Sequence, residues 1–530
     1  MSNKWLKHLK NSIPESAFGY KLCIYTIALE GWRRGLDLTF FNIYRKEKGD
    51  IKLTVRFSLS NGTDRYDFAV SRGGLVSREA IDICIDKDKT KHYLEKANVP
   101  VPTGKSFGAN DSDQEIVDYF KTLDYPVVLK PTDAGGGKGV ITNIKNNDEL
   151  MSAIKHVRHE LNYKDVILER FIVGRDHRVY VVGNEVIGVY KRINANVIGN
   201  GKDNIDKLID QKNKERKKNP YLSGRLIKKD KEMYNYLSSK GMSLESVPDK
   251  GKRIIIREKG SLSAGGEPID VTEDISYEAK QTAIQAANAI PGLPQCAVDM
   301  IIDEKSEIAV VNEVNSKPQI SNHLYPVEGV ARDIPKAIID FYFPETKETE
   351  INTSFYFDFD SIIPVLRNGN MKEVAVPKMP SGKIVSTRFR VNGVKKRLGF
   401  NRWVKRTAHG HKLHGRVKSL KDGGISIIVA GRQSYVTEFK NQLNKELASI
   451  GNDITVNEFS WKKPVKVGFE IENIKKTSKS TIVSLEEKIA RLEEVNMHLV
   501  DVQKDYNKII ESRTWKATSP IRKLGDSLKK

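Results

Sequence analysis

Residues 125–144, YPVVLKPTDAGGGKGVITNI, set four glycines within five positions, and this stretch constrains the fold more than any other. Val127, Val128 and Leu129 form a short apolar, β-branched run that reads as a strand, and Lys130-Pro131 ends regular pairing. Gly135, Gly136, Gly137 and Gly139 free the backbone to take positive φ and to close its N–H groups on a bulky anion. Lys138 adds a cation to the same turn. The pattern is not GxxxxGK[ST], because Gly139 follows the lysine and no helix has to begin there. From these residues alone two readings stay open: a loop that covers phosphates, or a glycine-rich hairpin turn.

The rest of the chain decides between them. Its 530 residues allow two or three domains, and 39% hydrophobic with 30% charged residues is ordinary for a globular chain rather than a disordered one. Cys23, Cys84 and Cys296 lie far apart without metal-ligand spacing and read as reduced structural thiols in a cytoplasmic protein. Neither a signal peptide nor an apolar run of the roughly 20 residues a membrane span needs is expected. The net charge of +21 is spread rather than gathered into a patch interleaved with aromatics. Nucleic acid is therefore a minor option beside an anionic polymer, an acidic substrate or an anionic membrane face.

In chain order, residues 1–75 read as a small N-terminal α/β region, with an amphipathic helix at 17–34, strands, and Asn61-Gly62 as a hairpin turn. A helix follows at 78–97, then an extended Val99-Pro100-Val101-Pro102 segment. Strands and helices alternate to about residue 345, giving an α/β and α+β fold with mixed sheets, and the polar, lysine-rich 203–252 reads as a helical insertion. Residues 346–385 read as a linker, 386–462 as a second domain, and 463–480 as another linker. In 481–530, Leu485, Ile489, Leu492, Asn496, Leu499, Gln503, Tyr506 and Ile510 share one heptad seam ahead of a basic tail. That seam fits a coiled-coil homodimer, or a single helix packed on its own protein.

Over residues 75–345 these motifs, in this order, resemble the ATP-grasp superfamily, and within it cyanophycin synthetase and the glutathione-forming ligases. The resemblance implies that Lys87 and Lys130 reach nucleotide phosphates and that Gly135, Gly136, Gly137, Lys138 and Gly139 form a mobile covering loop. It implies that Glu169 faces the adenine amino group and Asp176 the ribose hydroxyls, roles a strand-end carboxylate can fill as an acceptor. KGSLSAGGEPIDVT resembles a family element in which Ser261 replaces the leading Asn; Arg257 and Ser263 would contact a carboxylate, and His323 would lie near the substrate. Asp299 in CAVDMII, with Glu313 and Asn315 in AVVNEVNSKP, would put three oxygen donors at one sheet edge, since residues two apart share a strand face. That donor set suits Mg²⁺, with Mn²⁺ as a substitute, completed by ATP phosphates. Arg192 would hold the same phosphate oxygens.

The implied reaction is ADP-forming ligation of a carboxylate to an amine through an acylphosphate, the partners being small molecules or an envelope polymer. Residues 386–462 carry a second resemblance, to acylphosphatase, within the ferredoxin-like class. There Asn401 stands where that family has its phosphate-binding arginine, and Ser419 where it has its water-positioning asparagine. Little hydrolase activity is expected without the bidentate guanidinium. An acylphosphate hydrolase and a nucleotide-binding scaffold are the alternatives. Two readings stay open for the basic tail: Trp515, Ile521 and Leu524 with the lysines on the inner membrane face, making the protein peripheral there, or the binding of an envelope-assembly partner.

Overall fold

The computed structural model describes residues 5–47, 50–132, 139–258, 262–303, 306–394, 399–451 and 453–472. The heptad segment and basic tail, and Gly135 to Lys138 of the glycine loop, lie outside the described residues. Among the described residues, no helix is long and apolar enough to cross a membrane.

Two antiparallel sheets frame the region expected to bind nucleotide. The smaller runs in the order Gly104–Phe107, Val166–Arg170, Val127–Pro131, Ile141–Ile144, and helices Asp113–Phe120 and Asn147–Ile154 cover one face. The larger runs Glu267–Asp270, Glu185–Ile193, Arg175–Val182, Gln295–Ile302, Ala309–Asn315, backed by helix Tyr277–Asn288. A hairpin turning at Gly183-Asn184 joins Arg175–Val182 to Glu185–Ile193. The insertion has its own core around helices Ile205–Lys218 and Lys231–Ser239, closed by the paired strands Asn196–Ile198 and Arg253–Ile255.

The helix expected over 78–97 is two helices, Arg78–Ile85 and Lys87–Lys96. Asp86 leaves helical geometry between them, and its carboxylate caps the second helix by accepting from the backbone of Asp88 and Lys89. An acceptor at that point competes with helix continuation, which propensity alone does not weigh. Lys87 thereby becomes the first residue of a helix rather than a mid-helix position.

The N-terminal region does not end at residue 75. Helix Leu22–Arg33 is buried along nearly its whole circumference instead of amphipathic, and Arg33 inside it donates to the Phe355 carbonyl and the Ser12 hydroxyl. What covers it is the stretch expected to be a linker. Phe355, Phe357 and Phe359 are fully buried, and the Phe357 ring lies 5.0, 5.8 and 5.7 Å from those of Tyr25, Trp32 and Phe40. Strand Glu373–Ala375 then pairs with the outer edge of Asp37–Glu47. Residues 355–376 are thus packed into the N-terminal unit, since alternating aromatics bury far more apolar surface than a tether could leave exposed.

The C-terminal domain is ferredoxin-like, with sheet order Thr455–Ser460, Ile384–Asn392, Ile425–Arg432, His414–Ser419, Phe469–Glu472 and helices Phe400–Gly410 and Gln433–Ile450 on one face. It continues past the expected end at 462. Strand Phe469–Glu472 adds parallel to His414–Ser419, with Phe469 only 5% exposed.

Candidate active site

Asp299 and Glu313 are register partners on the antiparallel strands Gln295–Ile302 and Ala309–Asn315, so their side chains share a face. The pairing slips by one residue after Asp299, leaving Asn312 as the extra residue of a bulge. A bulge re-aims side chains locally. Here it lets Asn312 accept from Lys130 Nζ at 3.1 Å while Glu313 and Asn315 keep facing Asp299. Asn315 Nδ2 lies 3.3 Å from Asp299 Oδ2. Two carboxylates and an amide therefore meet at one edge of the larger sheet. Among the described residues, no three His, Cys, Asp or Glu side chains gather as a metal cluster, and this site has two carboxylates with an amide as its third donor.

The two lysines singled out from the sequence converge on the same place. Lys130 is 2.5 Å from Glu169 Oε1, and Lys87 Nζ donates to the carbonyl of Pro131 at 3.3 Å, beside Lys130 at the end of the same strand. The electrostatics of Glu313 report both of them. Burial and the Asp299 charge push its carboxyl above the usual range, while Lys87, Arg178 and Lys130 pull the other way. A carboxylate so crowded favours a cation beside it, so the donor set fits a divalent ion with oxygen ligands.

Arg178 escaped the sequence reading. It lies opposite Asp299 in register, and its Nε and Nη2 hold the two carboxylate oxygens at 2.6 and 2.5 Å. Burial works against both charges, yet the pair overrides it: Asp299 is held below the usual carboxylate range and Arg178 well above its ordinary value. Arg192 stands at 3.5 Å from Asp299 Oδ1. A signal was available in RDHRVYVV, where Asp176 and Arg178 share one face of a strand whose following residues are apolar.

The remaining expectations divide. Asp176 is exposed on the strand of Arg178, within electrostatic reach of Arg192. Glu169 is buried and its carboxylate is taken up by Lys130. Gly139 has φ +68°, and a Cβ there would come within 2.9 Å of Pro131, so the loop's last glycine is needed both for its backbone and for its closeness to the strand. Arg257, expected at a substrate carboxylate, is buried instead against the insertion, donating to Asp230 at 2.5 Å, Glu232 at 2.9 Å and the Lys228 carbonyl at 2.8 Å. Those partners come from 30 residues upstream or fewer, inside a segment whose packing strand reasoning could not place. His323 is buried edge-on to the rings of Tyr180 and Tyr190; both ring nitrogens lack a partner among the described residues, and burial depresses it to about 3.

In the second domain, Asn401 and Ser419 do face each other, at 3.5 Å. An amide and a hydroxyl so placed offer no fixed cation to a phosphate.

Comparison with known proteins follows this division. Residues 86–219 match the family described as carbamoyl-phosphate synthase L chain, ATP binding domain, and residues 387–471 match acylphosphatase. The chain is 33% identical over 278 residues to cyanophycin synthetase of Trichormus variabilis, covering 51% of this chain and 30% of that protein. It is 30% identical over 358 residues to the bifunctional glutathione biosynthesis protein GshAB of Clostridium perfringens, covering 65% of this chain and 44% of that one. The chain thus spans less than half the length of these relatives. Among solved structures, the bifunctional glutathione synthetase of Pasteurella multocida aligns over 55% of this chain and 40% of its own, at 24% identity and a TM-score of 0.45.

Proposed function

We propose that this chain, which carries an ATP-grasp domain followed by an acylphosphatase-like domain, is an ATP-dependent ligase that joins a carboxylate to an amine with release of ADP. The observation that carries the proposal is the meeting of Asp299, Glu313 and Asn315 with the cations Lys87, Lys130, Arg178 and Arg192. Oxygen donors on one side and fixed cations on the other are what two approaching anions require.

In this reading the substrate carboxylate attacks the γ-phosphorus of ATP and the resulting acylphosphate is taken by the amine. The residues act by position and charge rather than as nucleophiles. Lys87 and Lys130 hold phosphate oxygens, and Arg178 or Arg192 stabilises charge that develops as the phosphoryl group passes. Asp299, Glu313 and Asn315 would hold a divalent cation, Mg²⁺ by donor type; bound there, the ion offsets charge on the phosphates. The glycine loop would exclude water from the acylphosphate. Lys130 is engaged by Glu169 and Asp299 by Arg178, so loading the site exchanges internal ion pairs for contacts to ligand. Acylphosphate hydrolysis by the second domain is the weaker reading, because of the Asn401–Ser419 pair.

A screen of amino acids for ADP release, with the products identified by mass spectrometry, tests the proposal. Amine-dependent ADP release with a condensed product supports it. ADP release that no amine stimulates, with no condensed product, overturns it.

A further inference from the structure

The C-terminal sheet has a face turned away from its helices, and part of that face is recessed. Across three adjacent strands, Arg388, Ile428 and Arg416 form one row and Arg390, Ser426 and Lys418 the next. Columns on the two flanking strands lie about 9.5 Å apart at the backbone, twice the strand spacing. Ile428 and Ser426 form the floor between them, and Trp461 closes one side, with the Arg416 guanidinium 6.0 Å from its ring. Beyond Ile428 the face is covered: Ala430 is fully buried in the core that includes Phe355 and Val465. The recess is thus shut at one end, and its volume is about 270 Å³. That is close to the lower end for small-molecule sites, which run from about 300 Å³ upward.

Its charge is unbalanced. Three cations line it against one carboxylate, that of Glu472. Arg416 Nη1 at 2.8 Å and Lys418 Nζ at 2.9 Å share Glu472, which displays how this side seats a carboxylate. Opposite, Arg388 donates from Nε to the Ser426 hydroxyl at 3.0 Å, its hydrogen-bond partner among the described residues being that neutral group. A guanidinium beside an apolar floor and an aromatic wall is suited to grip a planar carboxylate by two prongs.

We propose that this recess, between Arg388 on one side and Arg416 with Lys418 on the other, is a binding site for a small dicarboxylate, one carboxylate meeting Arg388 and the other taking the place of Glu472 on Arg416 and Lys418. The ligand is a free acidic amino acid or the acidic C-terminal residue of a peptide, both of which carry two carboxylates a few bonds apart. A single nucleic acid strand fits less well, since it sets phosphates along one side and needs aromatic platforms along the other, where the recess has Trp461 alone. The recess is lined by residues of the C-terminal domain and includes none of those proposed to hold ATP, so it does not depend on the ligase reading.

Calorimetry on the full chain without ATP tests it, using glutamate, succinate, glutamine, inorganic phosphate and a tripeptide ending in glutamate. Succinate and one or both glutamate-bearing ligands should bind, and glutamine and phosphate should bind far more weakly. Glutamate alone among the two marks a free metabolite as the source, and the tripeptide alone marks a peptide terminus. Arg388→Ala should weaken binding by about tenfold to a hundredfold, the range for losing a charged hydrogen bond. Glu472→Gln should tighten it, because Arg416 and Lys418 lose their internal partner; a purely structural role for these residues would not produce that gain. Circular dichroism checks that each variant is folded. Dicarboxylate binding that is absent, that survives Arg388→Ala, or that phosphate and glutamine match would overturn the proposal.

Discussion

Replacing Glu313 by glutamine should move stability and turnover in opposite directions. Glu313 and Asp299 are cross-strand partners, and side chains so placed stand about 5 Å apart at Cβ. Two carboxylates at ~5 Å repel by roughly 3 kcal/mol at an effective dielectric of 20. Lys87, Arg178 and Lys130 offset much of this. Without metal, Glu313→Gln should therefore be as stable as the parent or up to about 1 kcal/mol more stable. The pH dependence carries the same sign. Burial, with Asp299, raises the Glu313 carboxyl above 4.5, so the folded protein holds that proton more tightly than the unfolded chain. Its contribution to stability is complete below the unfolded value and is lost as pH rises through the raised folded value. The parent should show this loss in chelator, and Glu313→Gln should not. Turnover should fall about a hundredfold to a thousandfold, some 3–4 kcal/mol of transition-state stabilisation, as for losing one charge-stabilising group. Thermal unfolding in EDTA across the acid range and coupled ADP release with Mg²⁺ provide the two readouts. A variant that melts well below the parent in EDTA would make Glu313 a structural ion-pair partner, and one that still releases ADP at the parent's rate would remove it from the proposed donor set.

Arg178→Ala breaks a buried two-pronged pair and should cost about 3 kcal/mol of stability in chelator. Mg²⁺ should then raise the melting temperature of the variant more than that of the parent, because the ion replaces the missing charge; equal shifts would contradict this. Phe357→Ala removes a fully buried ring packed on Tyr25, Trp32 and Phe40 and should destabilise the N-terminal unit by about 3–5 kcal/mol. Urea unfolding followed by tryptophan fluorescence reads it through Trp32, and an unchanged midpoint would mean that 346–385 is dispensable. Benzoyl phosphate should be hydrolysed by the full chain at the uncatalysed rate, because Asn401 offers no guanidinium; catalysis abolished by Asn401→Ala would disprove that.

Much of the architecture was legible in the chain itself. The apolar run before the glycines and the helical character of 203–252 are local signals, decided by residues within a few positions of one another, and both are present, as strand Val127–Pro131 and as helices Ile205–Lys218 and Lys231–Ser239. So is the shared face of Glu313 and Asn315, since a strand's period of two needs no partner to be read. Tertiary structure alone decided which charges meet. Arg178 reaches Asp299 across 121 residues, and Lys130 reaches Asn312 across 182, through a bulge that no spacing rule announces. Arg257 turned to Asp230 and Glu232 for the same reason: an ion pair depends on where two backbones come to lie, and residue type tells only that some partner is required. The Phe355, Phe357 and Phe359 segment passed for a linker because burial is a property of what packs on a side chain, and its cover is a helix more than 300 residues earlier in the chain.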